Sequence, residues 1–131
     1  MDFPDNSPEQ CFYHIIDRIY SNWTGLVLAI AHGSSDSKEK SIWFRQATLS
    51  WILSNTKNLV TQDIEEMLED VMNDEFDCLV EDDSIPEIAK LLHKFYHLIF
   101  VEKDENQVNL QANFLPQVNQ DNSVLVVVGV C

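Results

Sequence analysis

A chain of 131 residues, 45% apolar and 10% aromatic, has the size of one domain and enough apolar side chains to bury a core. Its formal net charge of −14 excludes the usual phosphate-neutralising mode of nucleic-acid binding and disfavours anionic membrane surfaces. The widely spaced Cys11, Cys78 and Cys131 form no CxxC pair and predict reduced thiols in the cytosol or nucleus, while the acidic opening MDFPDNSPEQ is unlike a signal peptide.

In chain order, Ser7, Pro8 and Gln10 predict a helix start: Ser7 as N-cap, Pro8 in the first turn, Gln10 closing a capping box. Phe12, Ile15, Ile16 and Ile19 follow at helical spacing, with Asp17 and Arg18 expected on the opposite side. Trp23, Leu26, Val27, Ala29 and Ile30 form a second apolar set running to Gly33, a natural residue just past a helix end. Gly25 argues against one unbroken rod through both sets. Ser37 is the expected cap of a third helix, from Lys38 to about Ser54, with Ile42, Trp43, Ala47 and Trp51 facing inward.

After a connection at residues 55–58, Asp63 and Glu66 form a second capping box, with Thr61 as a competing cap. Ile64, Met67 or Leu68, Val71 and Met72 supply the apolar stripe of a fourth helix, and Phe76 and Leu79 continue it toward the core. A loop at Glu81, Asp82 and Asp83 precedes a fifth helix that Ser84 caps and Glu87 closes, with Pro86 tolerated in the first turn. Ile88, Leu91, Leu92, Phe95, Leu98 and Ile99 form its buried face. Residues 104–120 are rich in Asn and Gln without a sustained period and read as a tail, and Val124–Val128 is strand-like. The expected architecture is all-α, a compact bundle of four to five helices over residues 1–103, with an irregular C-terminal tail over 104–131. Trp23, Trp43, Phe76 and Leu92 are its expected core anchors.

Charge is not spread evenly over this plan. Residues 61–89 hold twelve acidic residues and neither Lys nor Arg, so most of the net charge sits in less than a quarter of the chain. Unpaired carboxylates cost several kcal/mol to bury, so Glu65, Glu66, Glu69 and Asp70 must face outward. Like charges at i, i+4, such as Glu65 with Glu69 and Glu66 with Asp70, destabilise a helix by roughly 0.2–0.5 kcal/mol per pair. A face kept at that cost asks for a basic partner, a cation, or solvation alone.

Site chemistry narrows the choice. With three glycines in the chain no phosphate-binding loop can be built, and there is no G-x-S-x-G or Cys–His nucleophile motif. His93 and His97 have metal-compatible spacing, but Lys94 stands where a zincin needs Glu. An EF-hand loop needs oxygen ligands at alternating positions and a central Gly; Phe76 and Leu79 occupy the third positions and no Gly lies between Asp63 and Glu87. Paired carboxylates such as Asp82 and Asp83 lack a nucleophile or pocket to work with. The chain reads as a non-enzyme without a cofactor or metal.

Two stretches resemble a family. WTGLVLAI from Trp23, Gly33 and KSIWF from Lys40 resemble the first half of the WGG-domain pre-rRNA-processing proteins, the escortins. DIEEML from Asp63, MNDEFD from Met72 and VEDDS from Val80 resemble the second half, with Ile88 following; the likeness covers roughly residues 10–100. The resemblance implies an all-helical chaperone in nucleus and cytoplasm. It would accept a basic, zinc-containing small-subunit ribosomal protein from its import receptor and hold it until pre-40S assembly. On that reading the acids Asp63, Glu65, Glu66, Glu69, Asp70, Asp74, Glu75, Asp77, Glu81, Asp82 and Asp83 form the partner face. Alternatives are a divalent-cation-responsive module and a paralogue that has lost its client. Two departures stand out: Ser34 and Ser35 replace an aromatic-Gly-Gly signature after Gly33 in a shorter loop, and the tail carries only Asp104, Glu105 and Asp121 as acids.

Overall fold

The computed structural model describes residues 7–33, 35–76, 83–113 and 115. It is all-α: α1 Pro8–Ser21, α2 Thr24–Ala31, α3 Ser37–Ser54, α4 Thr61–Phe76, α5 Ser84–Tyr96 running into a π turn His97–Val101, and α6 Glu105–Ala112. The first helix starts with Pro8 in the first turn and Ser7 Oγ accepting from Gln10 N at 3.0 Å, but the Gln10 side chain does not close a capping box; its Nε2 meets His14 Nε2 at 3.1 Å. The chain breaks at Asn22–Trp23, three residues before Gly25, and α2 begins at Thr24. Gly33 follows the C-cap His32, where space excludes any side chain: a Cβ there would lie 2.1 Å from Ser37 Oγ and 2.7 Å from the Ala29 carbonyl oxygen.

Helix α1 is the central strut. Phe12, Ile15, Ile16 and Tyr20 are fully buried on it, and it packs against α3 on one side and α5 on the other. An aromatic ladder ties three helices together: Tyr20 stacks on Phe44 at 4.7 Å between centroids, and Phe44 meets Phe76 of α4 at 6.0 Å. Such pairs add about 0.5–1.5 kcal/mol each beyond their area burial. At the other end Phe12 meets Phe100 of the π turn edge-on at 5.7 Å.

The expected faces of α1 and α3 need correction. Asp17 and Arg18, expected outside, are each only 3% exposed. Asp17 Oδ1 accepts from Arg45 Nε at 2.5 Å, and Arg18 Nη2 donates to the Leu115 carbonyl oxygen at 2.9 Å. Seating Arg45 against α1 turns α3 by one position from the expected face. Phe44, Thr48 and Ile52 point inward, Trp51, Ile42 and Ala47 are half-buried, and Trp43 is 45% exposed. A buried cation needs its carboxylate more than an indole needs burial, because an unpaired charge costs several kcal/mol.

Further boundaries differ: α3 begins at Ser37 itself with Asp36 in the N-cap position, and α4 begins at Thr61, which puts Asp63 inside its first turn. Ser84 does not cap α5; its Oγ instead accepts from Trp23 Nε1 at 3.0 Å, and Asp83 holds the N-cap position without a side-chain cap bond. Residues 105–112, expected as irregular tail, form α6: Asp104 Oδ1 accepts from Gln107 N at 3.1 Å, and Val108 and Ala112 are buried. The π turn widens the end of α5, with Glu102 N donating to the His97 carbonyl oxygen at 2.9 Å and Lys103 taking a φ of 53° to close it. Cys11 is disulfide-bonded, against the expectation of free thiols. Leu79, Cys78, Cys131 and the strand-like Val124–Val128 lie outside the described residues.

Candidate functional site

Helix α4 sorts its residues by period. Ile64, Leu68, Met72 and Phe76, four apart, are buried, while Met67 and Val71 are half-buried against the core beside them. This stripe packs principally on α5, and Phe76 reaches Phe44 of α3. Opposite the stripe, Asp63, Glu66, Asp70 and Asp74 succeed one another at spacings of three, four and four and are all exposed. That spacing keeps them on one ridge, because a helix repeats every 3.6 residues. Glu69 is exposed beside the ridge, Glu65 is half-buried below it, and Glu75 is exposed in the last turn.

The ridge is a continuous negative edge. At 1.5 Å per residue the row from Asp63 to Asp74 spans about 16 Å, and neighbouring carboxylates lie within one Debye length, about 8 Å in physiological salt. Helix α4 contains seven acids and no base. The ion pairs among the described residues are Lys40 with Asp36, Arg45 with Asp17, and His97 with Glu102, so none neutralises an α4 carboxylate. Asp74 and Glu75 also sit at the negative end of the helix dipole, where an acid costs about 0.3–1 kcal/mol. Lys40 Nζ steadies that end by donating to the Glu75 backbone carbonyl at 3.0 Å. Asp83 is exposed just before α5, while Asp77, Glu81 and Asp82 lie outside the described residues.

The histidine pair is otherwise employed. The rings of His93 and His97 stack at 6.3 Å, His93 Nε2 meets the Leu59 carbonyl oxygen at 3.2 Å, and His97 Nδ1 meets Glu102 Oε2 at 3.0 Å. Among the described residues no three His, Cys, Asp or Glu side chains converge on a point that could hold a metal. A cleft of about 570 Å³ lies between the start of α1, the π turn and α6, lined by Pro8, Cys11, Phe100, Lys103 and Val108 among others. No α4 acid lines it. No described helix is long and apolar enough to cross a membrane.

Sequence reasoning placed Glu66, Glu69 and Asp70 outward because exposed acids need only a period and a sign, but Glu65, expected outward with them, is half-buried. It missed Trp43, whose exposure is set by the Asp17–Arg45 pair on another face of α3. An Arg two residues from both Trp43 and Ala47, among the apolar positions of α3, was the available signal.

Comparison with known proteins adds the lineage. The profile of the WGG family, described as pre-rRNA-processing protein TSR2, matches residues 12–90. The chain is 32% identical over 77 residues to the mouse protein named pre-rRNA-processing protein TSR2 homolog, covering 57% of this chain and 40% of that one. The cattle homolog of the same name is 31% identical over 97 residues, covering 72% of this chain and 50% of that one. The human homolog is 30% identical over 77 residues, covering 57% of this chain and 40% of that one. The match thus spans half or less of the full length of these relatives, and no solved structure matches the chain. A match over residues 12–90, from within α1 into α5, places the chain in the WGG family of pre-rRNA-processing proteins.

Proposed function

We propose that this chain acts in rRNA processing and ribosome biogenesis as a non-catalytic escort that binds a basic small-subunit ribosomal protein. The observation that carries the reading is the uncompensated ridge of α4. Asp63, Glu66, Asp70 and Asp74, flanked by Glu65, Glu69 and Glu75, form a row that no base among the described residues pairs with. Asp77, Glu81, Asp82 and Asp83 extend the same acidic sequence and complete the proposed face. A focused negative edge accelerates encounter with a basic client and disfavours acidic competitors. The client's own charge then offsets the repulsion within α4.

The family likeness supplies the finer part of the proposal. The client is a basic, zinc-containing ribosomal protein taken over from its import receptor in the nucleus and held for pre-40S assembly, with the escort itself in both nucleus and cytoplasm. It contacts neither nucleic acid nor membrane. The test is a triple substitution, Glu66→Lys, Asp70→Lys and Asp74→Lys, in the full chain. Helical circular dichroism is expected to persist, since all three side chains face water, while binding to a purified basic small-subunit ribosomal protein at 0.15 M salt is lost. Unchanged binding would overturn the reading. Saturable micromolar calcium binding to the unsubstituted chain would favour a cation-responsive module instead.

A further inference from the structure

The largest side chain that the fold leaves in water is Trp43, at 45% exposed. No hydrogen bond engages its indole among the described residues; of the other two indoles, Trp23 is 3% exposed and donates to Ser84, and Trp51 is half-buried against the core. Its position on α3 is set by two neighbours. Lys40, one turn earlier, reaches the Glu75 carbonyl at 3.0 Å, and Phe44, the next residue, packs on Phe76 at 6.0 Å. Residues three apart on a helix are surface neighbours, so Trp43 lies on the flank of α3 that adjoins the last turn of α4. That turn carries Asp74 and Glu75, both exposed, at the end of the acidic ridge.

We propose that Trp43 is the aromatic anchor of the docking surface and takes an arginine side chain of the basic partner, whose guanidinium stacks on the indole while Asp74 or Glu75 pairs with its N–H groups. The inference rests on the reading that the α4 ridge docks a basic protein, and it names which residue type that partner presents at the ridge's end. Trp is the strongest aromatic acceptor for a cation, and the planar guanidinium both stacks and forms paired hydrogen bonds to a carboxylate, which an ammonium cannot do. An exposed indole on the flank of α3 that the Lys40–Glu75 and Phe44–Phe76 contacts bring to the end of the acidic helix supplies the stacking half of such a site, and the exposed acids of that last turn supply the other. The occupant is argued from charge complementarity: α4 has seven acids and no base.

The test uses the full chain with two probes, octa-arginine and octa-lysine peptides, titrated at fixed moderate salt. The variants are Trp43→Ala, Trp43→Phe, and Asp74→Lys with Glu75→Lys. Exposed cation–π contacts are worth about 0.5–1 kcal/mol, so Trp43→Ala is expected to weaken octa-arginine by about 2- to 5-fold. Trp43→Phe recovers part of that loss, octa-lysine changes less than octa-arginine, and melting temperature stays within a degree or two because the ring is half in water. Unchanged octa-arginine affinity in Trp43→Ala, with loss in the charge-reversed variant, overturns the anchor and leaves the docking ridge standing. Equal losses for both peptides overturn the arginine assignment. If neither variant changes either peptide, both the anchor and the ridge fail.

Discussion

The buried pair between α1 and α3 gives the sharpest prediction. Arg45 is 1% exposed and fully engaged: Nε donates to Asp17 Oδ1 at 2.5 Å, Nη1 to the Ser41 carbonyl oxygen at 2.9 Å and to Ser41 Oγ at 2.5 Å, and Nη2 to Ser21 Oγ at 3.2 Å. Its guanidinium also lies 5.8 Å from the Tyr20 ring centroid. Replacing Arg45 with Met keeps most of the aliphatic volume but leaves the Asp17 carboxylate, 3% exposed, without its counter-charge. Breaking a buried pair in this way costs about 3–5 kcal/mol, a large part of the 5–15 kcal/mol that typically holds a domain together. Urea denaturation followed by circular dichroism is expected to show that loss, with a melting temperature roughly 10–20 °C lower. The double variant Asp17→Leu with Arg45→Met is expected to recover most of it, because a buried pair and a well-packed apolar replacement are often near equal. A loss below about 1 kcal/mol in Arg45→Met, or a double variant as weak as the sum of its single losses, would refute the view that paired charge sets the rotation of α3.

Three more outcomes follow from the packing. Trp23→Phe and Ser84→Ala are each expected to cost about 1 kcal/mol and to be strongly non-additive in a double-mutant cycle, since both remove one hydrogen bond; additive losses would return Ser84 to a capping role. Gly33→Ala forces a Cβ against Ser37 Oγ and the Ala29 carbonyl, so a loss of about 1–3 kcal/mol is expected by thermal melting, with Ser37→Gly relieving only the side-chain half of the clash. Burial pushes the Tyr20 phenol above its ordinary range, with the hydrogen bond to Thr48 and the charge of Arg45 opposing the shift. The native state therefore keeps a proton that the unfolded state loses near pH 10. Stability is expected to fall as pH rises from about 10, and absorbance at 295 nm should show Tyr20 ionising only with unfolding. Early reversible titration of all three tyrosines would contradict this.

Helix α4 shows what a linear pattern can reveal. Ile64, Leu68, Met72 and Phe76 mark one face by period alone, and Asp63, Glu66, Asp70 and Asp74 mark the other by period and sign. Each signal is local, so the candidate ridge was legible before folding. The same holds for Ser7 and Pro8 at the start of α1, where cap chemistry acts over three residues. Helix α6 was missed because its stabilisation is not local: Val108 and Ala112 give a sparse apolar face, too weak a period to register until the π turn provides a surface to cover.

By itself, then, the sequence determined the helical class, the outward acidic edge of α4 and the membership that residues 12–90 carry. Tertiary structure alone decided which side of α3 faces the core. Trp43 and Phe44 are adjacent and both aromatic, and no local rule ranks one for burial over the other. The choice came from Asp17, 28 residues upstream of Arg45, whose carboxylate had to find a cation once α1 buried it. That pairing turned Trp43 out into water, at the end of the acidic ridge.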